Sequence, residues 1–579
     1  MTLRSSVLVL FAVVACALLE TAFSSTFREW KLTNTTATIS LSSCDGKFGP
    51  IPGSIPGIVH TDLIAAGIIK LDPYFRYEEE NLSWITEQCW AYTIRSAVDG
   101  KNLNRNEDLF VRFEGVDTVS TVSFNGHEIG RSVNAFRSYS FPIPSNLIHK
   151  DATENELRVE LASARQYAKT QASAYPYVVP ETQNYNVWAE PSSRNFIRKT
   201  GSDMGWDWGP AYIPSGVTGQ VSFFQQSRQG GGRLAGFAVR QKIASDYKTA
   251  TLGLVVYVSD IPVFAPAPGQ TPEKYGSIAP TEIDLSVKIN GVVRTTQKAW
   301  ISHTPGASTT QEIVIEPMSI DNLQLWWPVG VIPDGQPTMY TVEVVYDRVQ
   351  SVSKKVGFRT VELIQDPVPV APASADQKQS SSPATPHTVQ VDASSGSSAS
   401  PRVGELYTVN PSTFYFKING IAVFMRGANF IPIDAFQSRV TDADREYVLR
   451  TALQANMNMV RVWGGGLYQP DQFYELADAL GVMIWQEVML ACALYPSSTS
   501  FLKEIDAEVR EQALRLGTHA SIVVWGGNNE NEVALGWFQE SNTNRDLYVS
   551  DYSKLYGGTV YPALSSVLGD FADSGSGEN

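Results

Sequence analysis

Several features that would point directly to a function are scarce in this chain of 579 residues. Basic side chains are in deficit, since 45 Lys and Arg residues face 59 Asp and Glu residues and leave a formal net charge of −14. This balance argues against nucleic acid or an anionic membrane surface as the main partner. Cysteine is limited to four residues without the spacing of a metal site, so no metal is expected.

The few cysteines leave one question of pairing open. Cys16 lies in an apolar N-terminal stretch, and Cys44, Cys89 and Cys492 remain. A disulfide between Cys44 and Cys89 would fit an oxidising compartment. Free, buried thiols are an equally good interpretation, so the sequence does not decide the pairing.

Long apolar runs are absent after the N-terminus, so no other stretch is expected to span a membrane. The stretch Val7–Leu19 is nearly all apolar, follows Arg4 and precedes small residues around Ala22. It is shorter than the roughly 20 residues that cross a bilayer. Residues 1–25 are therefore predicted to be a signal peptide, with an uncleaved anchor as the alternative.

Two further motifs fit entry into the secretory pathway. Asn34-Thr-Thr and Asn81-Leu-Ser are glycosylation sequons. We expect a secreted chain without a membrane anchor, glycosylated at Asn34 and Asn81.

What the chain does have is the composition of a large globular protein, with 43% hydrophobic and 18% charged residues. Its length suffices for three or four domains. Short alternating segments predict an antiparallel sandwich over residues 26–227, with a hairpin turn at Asn125-Gly126. Residues 228–365 predict a smaller sandwich of the immunoglobulin type. Residues 366–403, rich in Pro, Ser, Ala and Gln, predict a linker or insertion.

From residue 404 onward, short apolar strands alternate with amphipathic helices. This alternation predicts βαβ units and a parallel sheet that is buried on both faces. Distinctive polar or aromatic residues stand where four of the strands end, namely Asn429, Trp463, Glu487 and Glu530. In a (β/α)8 barrel the carboxyl ends of the strands form the active-site face, so we expect these residues to share one face.

Motifs spread over residues 27–560 resemble those of a known family, and their order and spacing carry the resemblance. They are PGIVHTDLIAAGIIKLDPYFR (56–76), NFIRK (195–199), GWDWGP (205–210), LWWP (325–328), GFRTVEL (357–363), GANFIPID (427–434), RVWGGGLY (461–468), ACALYP (491–496) and WGGNNENE (525–532).

The chain resembles the β-mannosidases of glycoside hydrolase family 2. GWDWGP and RVWGGG favour this branch over the β-galactosidases and β-glucuronidases. The resemblance implies a multidomain protein with a jelly-roll sugar-binding β-sandwich, an immunoglobulin-like β-sandwich and a (β/α)8 TIM barrel. Residues 404–579 would hold about four strands of that barrel. It also implies lysosomal delivery, beside the extracellular route.

The resemblance further implies a retaining exoglycosidase that removes terminal β-mannose from oligosaccharides or glycoproteins without a cofactor. Retaining glycosidases use two carboxyl groups about 5 Å apart. The family's acid/base follows an asparagine at the end of the fourth barrel strand, which matches Glu530 after Asn529. Asn529 would contact the sugar 2-hydroxyl. Glu532 is expected to be structural or to face solvent.

The same resemblance implies a sugar pocket with aromatic walls. Trp463 would form one wall, because the apolar face of a pyranose packs on an indole ring. The three glycines after Trp463 are expected to leave that ring uncovered. Asp207 would reach in from the first domain to bind hydroxyls, supported by Trp206, whereas Trp208 is expected to pack at a domain interface.

Three further residues are candidates for contact with the substrate. Asn429 and Arg461 would lie near the sugar, with an internal ion pair as the alternative for Arg461. Trp537 follows the acid and would line the aglycone side. Glu487 is expected to be structural or to support its neighbours.

The family's nucleophile, a glutamate at the end of the seventh strand, has no counterpart in this sequence. The chain is therefore expected to be truncated relative to the family, with open strand edges. One hypothesis is a β-mannosidase-like exoglycosidase, and the other is an inactive fragment or sugar-binding remnant. A third is another family 2 exoglycosidase, a β-galactosidase or β-glucuronidase.

Overall fold

The computed structural model describes residues 27–104, 106–182, 192–227, 231–261, 280–303, 310–367 and 412–569. The predicted signal peptide and nearly all of the predicted linker over residues 366–403 lie outside these ranges. The chain divides into two compact units. The larger unit combines the residues up to Phe358 with those from Arg426 onward, and the smaller unit is Arg359–Met425.

Antiparallel strands in two sheets form the first part of the larger unit. The strands are β1 Phe27–Lys31, β2 Thr38–Ser43, β3 Ile51–Pro52, β4 Trp90–Arg95, β5 Glu107–Phe113, β6 Ser120–Phe124, β7 His127–Ser132, β8 Tyr139–Ile143, β9 Glu156–Leu161 and β10 Val221–Ser227. One sheet has the order β1-β10-β5-β8, and the other has the order β3-β2-β4-β9-β6-β7.

The N-terminal region is an antiparallel sandwich, as predicted, and its strands and turns form where the sequence places them. Strand β5 alternates buried and partly exposed residues, as a strand with one face in a core must. Asn125 and Gly126, with φ of 49° and 78°, make the predicted turn between β6 and β7. Side chains from both sheets share one core, which includes Leu41, Tyr92, Val111, Val159 and Phe223.

A disulfide joins Cys44 to Cys89, which settles the pairing that the sequence left open. Short helices lie between the strands of this sandwich, where the chain crosses from one strand to the next. They are α1 Val59–Ala65, α2 Glu78–Asn81, α3 Trp84–Glu87 and α4 Ala164–Ala174.

A second antiparallel sandwich follows. Its strands are β11 Arg233–Ile243, β12 Thr249–Ser259, β13 Thr281–Ile289, β14 Val292–Ile301, β15 Gln311–Asp321, β16 Tyr340–Tyr346 and β17 Gln350–Val356. The sheets β11-β12-β15 and β14-β13-β16-β17 share a core of mainly aliphatic side chains. This division of strands fits the predicted immunoglobulin type.

The smaller unit holds an antiparallel sheet of its own. Its strands are β18 Val361–Ile364, β19 Tyr415–Ile418 and β20 Ile421–Val423, in that spatial order. The predicted end of the second sandwich at residue 365 stays a prediction, although β18 pairs with β19 rather than with a strand of that sandwich.

The last part of the larger unit is built on a parallel sheet, as the alternation of strands and helices predicts. Strands β21 Gly427–Phe430, β22 Met459–Val462, β23 Met483–Glu487 and β24 Ile522–Gly526 lie side by side in chain order. Their carboxyl ends therefore meet at one edge. Asn429 is predicted to follow the first strand, but it lies within β21, one residue before the strand ends.

Helices follow these strands. They are α5 Asp442–Gln454, α6 Asp471–Leu480, α7 Thr499–Leu516, α8 Gln539–Thr543, α9 Arg545–Tyr552 and α10 Tyr561–Leu568, with a π-helical stretch at Ser553–Val560 between the last two. Thr441 and Asp444 form a capping box on α5, and Ser498 caps α7. Gly481, with φ of 71°, ends α6 in the left-handed conformation, as predicted.

Candidate active site

Arg461 on β22 binds polar side chains from the two neighbouring strands, β21 and β23, and from the loop that follows β24. Its Nη1 donates to Asn429 Oδ1 at 3.0 Å, and its Nε and Nη2 donate to Glu487 Oε1 at 3.0 and 2.7 Å. Its Nη2 also donates to Asn529 Oδ1. Arg461 thus makes the internal ion pair that the sequence left as an alternative, with Glu487 as its partner. The same guanidinium binds Asn429 and Asn529, both of which are predicted to contact the sugar.

Glu487 is the buried counter-charge of this cluster, with 1% of its surface exposed. Its second oxygen, Oε2, accepts the Gly464 N–H at 2.7 Å. Burial raises the pKa of the Glu487 carboxyl, and the charge of Glu530 acts in the same direction, whereas Arg461 and the Gly464 N–H oppose the shift. Glu487 therefore ties β23 to Arg461 and to the turn after Trp463.

Glu530 lies four residues beyond the end of β24, with an exposed side chain. Its φ of 62° is in the left-handed region, which is uncommon for a residue other than glycine. Asn529 before it is buried and binds Arg461. Glu532, two residues on, is also exposed, as the sequence predicts.

The Trp463 ring is covered, which corrects the expectation that three glycines leave it open. Trp463 is 7% exposed. A Cβ built on Gly465 would lie 2.0 Å from the ring, so the glycine lets the backbone fold directly against the indole. The rings of Trp206 and Trp208 meet it edge-on, with centroid distances of 4.7 and 5.8 Å.

Asp207 and Trp208 form the tip of a tight turn from the first sandwich. Trp206 N–H donates to Gly209 O at 3.0 Å, and Gly209 N–H donates back to Trp206 O at 3.2 Å. Asp207 is exposed at the tip, and the Trp206 ring below it packs between Trp463 and the Arg194 guanidinium, 4.2 Å from the ring centre. Trp208 contacts Trp463 of the parallel-sheet region edge-on, in line with the predicted packing between domains, and keeps 42% of its surface exposed.

A buried lysine with two carboxylates lies beneath this turn. Lys199 Nζ is 2.5 Å from Asp117 Oδ2 and 2.6 Å from Asp203 Oδ2, and it donates to Pro214 O at 2.7 Å. Burial and the neighbouring Asp117 charge raise the pKa of Asp203 to about 6, against the lowering effect of Lys199. The single positive charge of Lys199 is thus shared by the carboxylates of Asp117 and Asp203.

This arrangement makes stability depend on pH. Because the folded pKa of Asp203 lies above its ordinary 3.8, its contribution is complete below pH 3.8 and is lost as the pH rises through about 6. The loss is on the order of 3 kcal/mol. Thermal unfolding followed from pH 4 to 7 should show it. Asp203→Asn should flatten the profile, and Asp207→Asn, at the exposed tip, should leave it unchanged; equal profiles in both variants would contradict this assignment.

Trp537 follows the Arg461 cluster closely in sequence, but its ring contact is with Phe538, outside that cluster. It is 41% exposed, and its ring meets Phe538 at a centroid distance of 6.2 Å. It follows a one-turn 3-10 helix, Val533–Gly536, which begins directly after Glu532. Its predicted aglycone contact stays a prediction.

Sequence reasoning missed two residues of this site. Cys492 lies in the ACALYP motif, which supports the resemblance to the family but does not indicate a role for the cysteine. Arg194 precedes NFIRK and stacks on Trp206, a contact that requires the fold to be known. Neither residue carries a sequence signal of its own.

Among the described residues, no helix is both long and apolar enough to cross a membrane. In the same ranges, His, Cys, Asp and Glu side chains do not cluster in groups of three or more that could hold a metal ion.

Comparison with known proteins agrees with this architecture. Residues 30–219 match the family model for the galactose-binding domain-like region of glycosyl hydrolase 2, and residues 271–359 match the model for glycosyl hydrolases family 2. Both models describe glycosyl hydrolase family 2, to which these two parts of the chain are similar.

Within that family the chain is similar to β-mannosidases. It is 32% identical over 541 residues to β-mannosidase of Rattus norvegicus, covering 92% of this chain and 52% of the relative. It is 30% identical to a probable β-mannosidase of Caenorhabditis elegans, over 87% of this chain and 50% of the relative. The crystal structure of β-D-mannosidase from Dictyoglomus thermophilum matches with a TM-score of 0.68 and 28% identity, over 94% of this chain and 56% of that one. The chain spans about half the length of the curated relatives it matches.

Proposed function

We propose that the carboxyl edge of the parallel sheet is the glycone site of a retaining β-mannosidase. In this proposal β21 to β24 are the first four strands of a (β/α)8 barrel, and the first sandwich is its jelly-roll sugar-binding domain. The observation that carries the proposal is the Arg461 cluster. Strands β21 and β23 and the loop after β24 bring Asn429, Glu487 and Asn529 to one guanidinium, and Glu530 follows Asn529 in the chain.

In the proposed mechanism Glu530 is the acid/base. It protonates the glycosidic oxygen as the bond breaks, and it later removes a proton from the attacking water. Asn529, fixed by Arg461, offers its amide to the sugar 2-hydroxyl. The exposed carboxylate of Asp207 binds hydroxyls from the opposite side of the pocket.

Trp463 supports this pocket by packing rather than by an open ring face. Its ring stands edge-on to Trp206, so the two indoles fix the turn that presents Asp207. A sugar bound between Glu530 and Asp207 would then contact the edges of these two indole rings.

Retention also requires a nucleophilic carboxylate about 5 Å from the acid. Glu487 is electrostatically coupled to Glu530, but both of its oxygens are engaged, one by Arg461 and one by the Gly464 N–H. A carboxylate held in this way is a poor nucleophile. The proposal therefore assigns Glu487 to positioning, and it takes the nucleophile from a strand beyond β24.

The proposed substrate is a terminal β-mannoside of an oligosaccharide or glycoprotein, in keeping with the names of the relatives. The secretory route, with lysosomal or extracellular delivery, belongs to the same proposal. Asn34 and Asn81 are both exposed, which supports their use as glycosylation sites. The domain boundaries at residues 227, 365 and 403 also remain proposals.

A panel of aryl glycosides tests the proposal. A form of the protein that extends to the strand with the nucleophile should hydrolyse aryl β-mannoside in preference to the β-galactoside and the β-glucuronide, with net retention seen by NMR of the first product. Preference for either of the other sugars would overturn the substrate assignment. Binding of a β-mannoside without hydrolysis, measured by calorimetry, would instead support the sugar-binding remnant.

A further inference from the structure

The thiol of Cys492 lies between the two residues of the Asn529–Glu530 pair. Its Sγ donates to Glu530 Oε2 at 3.2 Å and accepts from Asn529 Nδ2 at 3.1 Å. The residue is a free cysteine and is 8% exposed. One sulfur atom thus contacts both the proposed acid and the amide before it.

The main chain of Cys492 adds two further links. Its N–H donates to Asn529 O at 2.9 Å, and its carbonyl accepts the Thr182 hydroxyl at 2.8 Å and the Thr182 N–H at 3.3 Å. Thr182 belongs to the first sandwich region. Cys492 has a φ of 48°, so this backbone, like that of Glu530, is held in the left-handed region.

From these contacts we propose that Cys492 is a positioning residue for the acid/base. Its thiol holds the Glu530 carboxylate, while its main chain ties Asn529 to the first sandwich through Thr182. The inference rests on the proposed function for the role of Glu530, but the contact itself does not.

The chemistry suits a donor that must stay protonated. Burial raises the pKa of the Cys492 thiol to about 12, and the hydrogen bond to Glu530 with its charge contributes to the shift. The S–H group therefore remains a weak donor at neutral and acidic pH. Such a donor orients a carboxylate without competing for the proton that the carboxylate must transfer.

The first experiment reads the contact without turnover. Carbamidomethylation of Cys492 by iodoacetamide is followed by mass spectrometry over a series of pH values in the native chain. Glu530→Gln should shift the pH profile downward and raise the rate at a fixed pH by up to about tenfold, since one pKa unit is tenfold in thiolate. Glu532→Gln removes an exposed carboxylate two residues away and should change the rate less than about twofold, because it does not touch the thiol. At pH values well below the pKa, a lowered thiol pKa raises the rate by the same factor at each pH, so the two profiles should run parallel. Equal rates in the Glu530→Gln and Glu532→Gln variants would overturn the contact.

The second experiment tests the role in catalysis. Cys492→Ala should lower kcat for phenyl β-mannoside by roughly five- to tenfold, as expected for one lost hydrogen bond. The loss with dinitrophenyl β-mannoside should be smaller, because that leaving group needs little protonation. Cys492→Ser, which keeps a hydroxyl donor, should recover most of the activity. Equal losses with both substrates would overturn the positioning role. These rates are measured on a form that extends to the strand with the nucleophile. If that unaltered form hydrolyses neither substrate, the proposed function fails, while the alkylation profiles still decide the contact.

Discussion

Replacing Glu530 with glutamine is expected to lower kcat for phenyl β-mannoside by a factor of roughly 10² to 10⁴, the usual contribution of a positioned acid/base. Glutamine keeps the size of the side chain but has no proton to give to the departing oxygen. The contacts of Asn529 with Arg461 and Cys492 do not involve the Glu530 carboxylate, so sugar binding should persist. We therefore expect the loss in kcat and little change in affinity.

Glu532→Gln is the matched control for this variant. Both glutamates are exposed and lie two residues apart, but Glu532 begins a 3-10 turn and has no contact with the Arg461 cluster among the described residues. Its replacement should leave kcat within about twofold, as for most surface changes. The measurement is the steady-state rate of the two variants and of the unaltered protein, each in a form that extends to the strand with the nucleophile. Near-normal activity of Glu530→Gln, or equal losses in both variants, would remove Glu530 from the acid role.

Much of the secondary structure can be predicted from local signals. The turn at Asn125-Gly126 and the end of α6 at Gly481 depend on residues that tolerate positive φ, and both are where the sequence places them. The four parallel strands follow from short apolar runs separated by amphipathic helices. Because such signals depend on only a few neighbouring residues, these turns, helix ends and strands can be predicted without knowledge of the fold.

The contacts of the site could not be predicted in the same way. Arg461 reaches Asn429 and Asn529, which are 32 and 68 residues away in the chain, and only the order of strands brings them together. Trp463 was expected to be open because glycines have no side chain to cover it. The structure uses that same property for close backbone packing against the ring. A local pattern is therefore compatible with both outcomes, and the tertiary fold decides between them.

Glu508 carries a second buried network, which joins the first sandwich to the parallel-sheet region. It lies on α7 with 0% of its surface exposed. Arg198 donates to both of its oxygens, from Nε at 2.9 Å and from Nη2 at 2.7 Å. Asn134 Nδ2 and the Tyr468 hydroxyl complete its partners at 3.0 and 3.1 Å. Asn134 and Arg198 come from the first sandwich, and Tyr468 follows β22.

Glu508→Gln is expected to destabilise the chain by about 3–5 kcal/mol, because it leaves the Arg198 guanidinium buried without its counter-charge. Since this pair joins two parts of the larger unit, the loss should weaken their docking. Calorimetry should then show a lower first transition, with the parallel-sheet region unfolding apart from the first sandwich. The control is Glu446→Gln, which breaks the exposed pair of Glu446 with Arg450 on α5. Exposed pairs of this kind contribute about 0.3–0.5 kcal/mol, so its transition should hardly move. If Glu508→Gln shifts unfolding no more than Glu446→Gln does, the buried pair does not hold the two parts together.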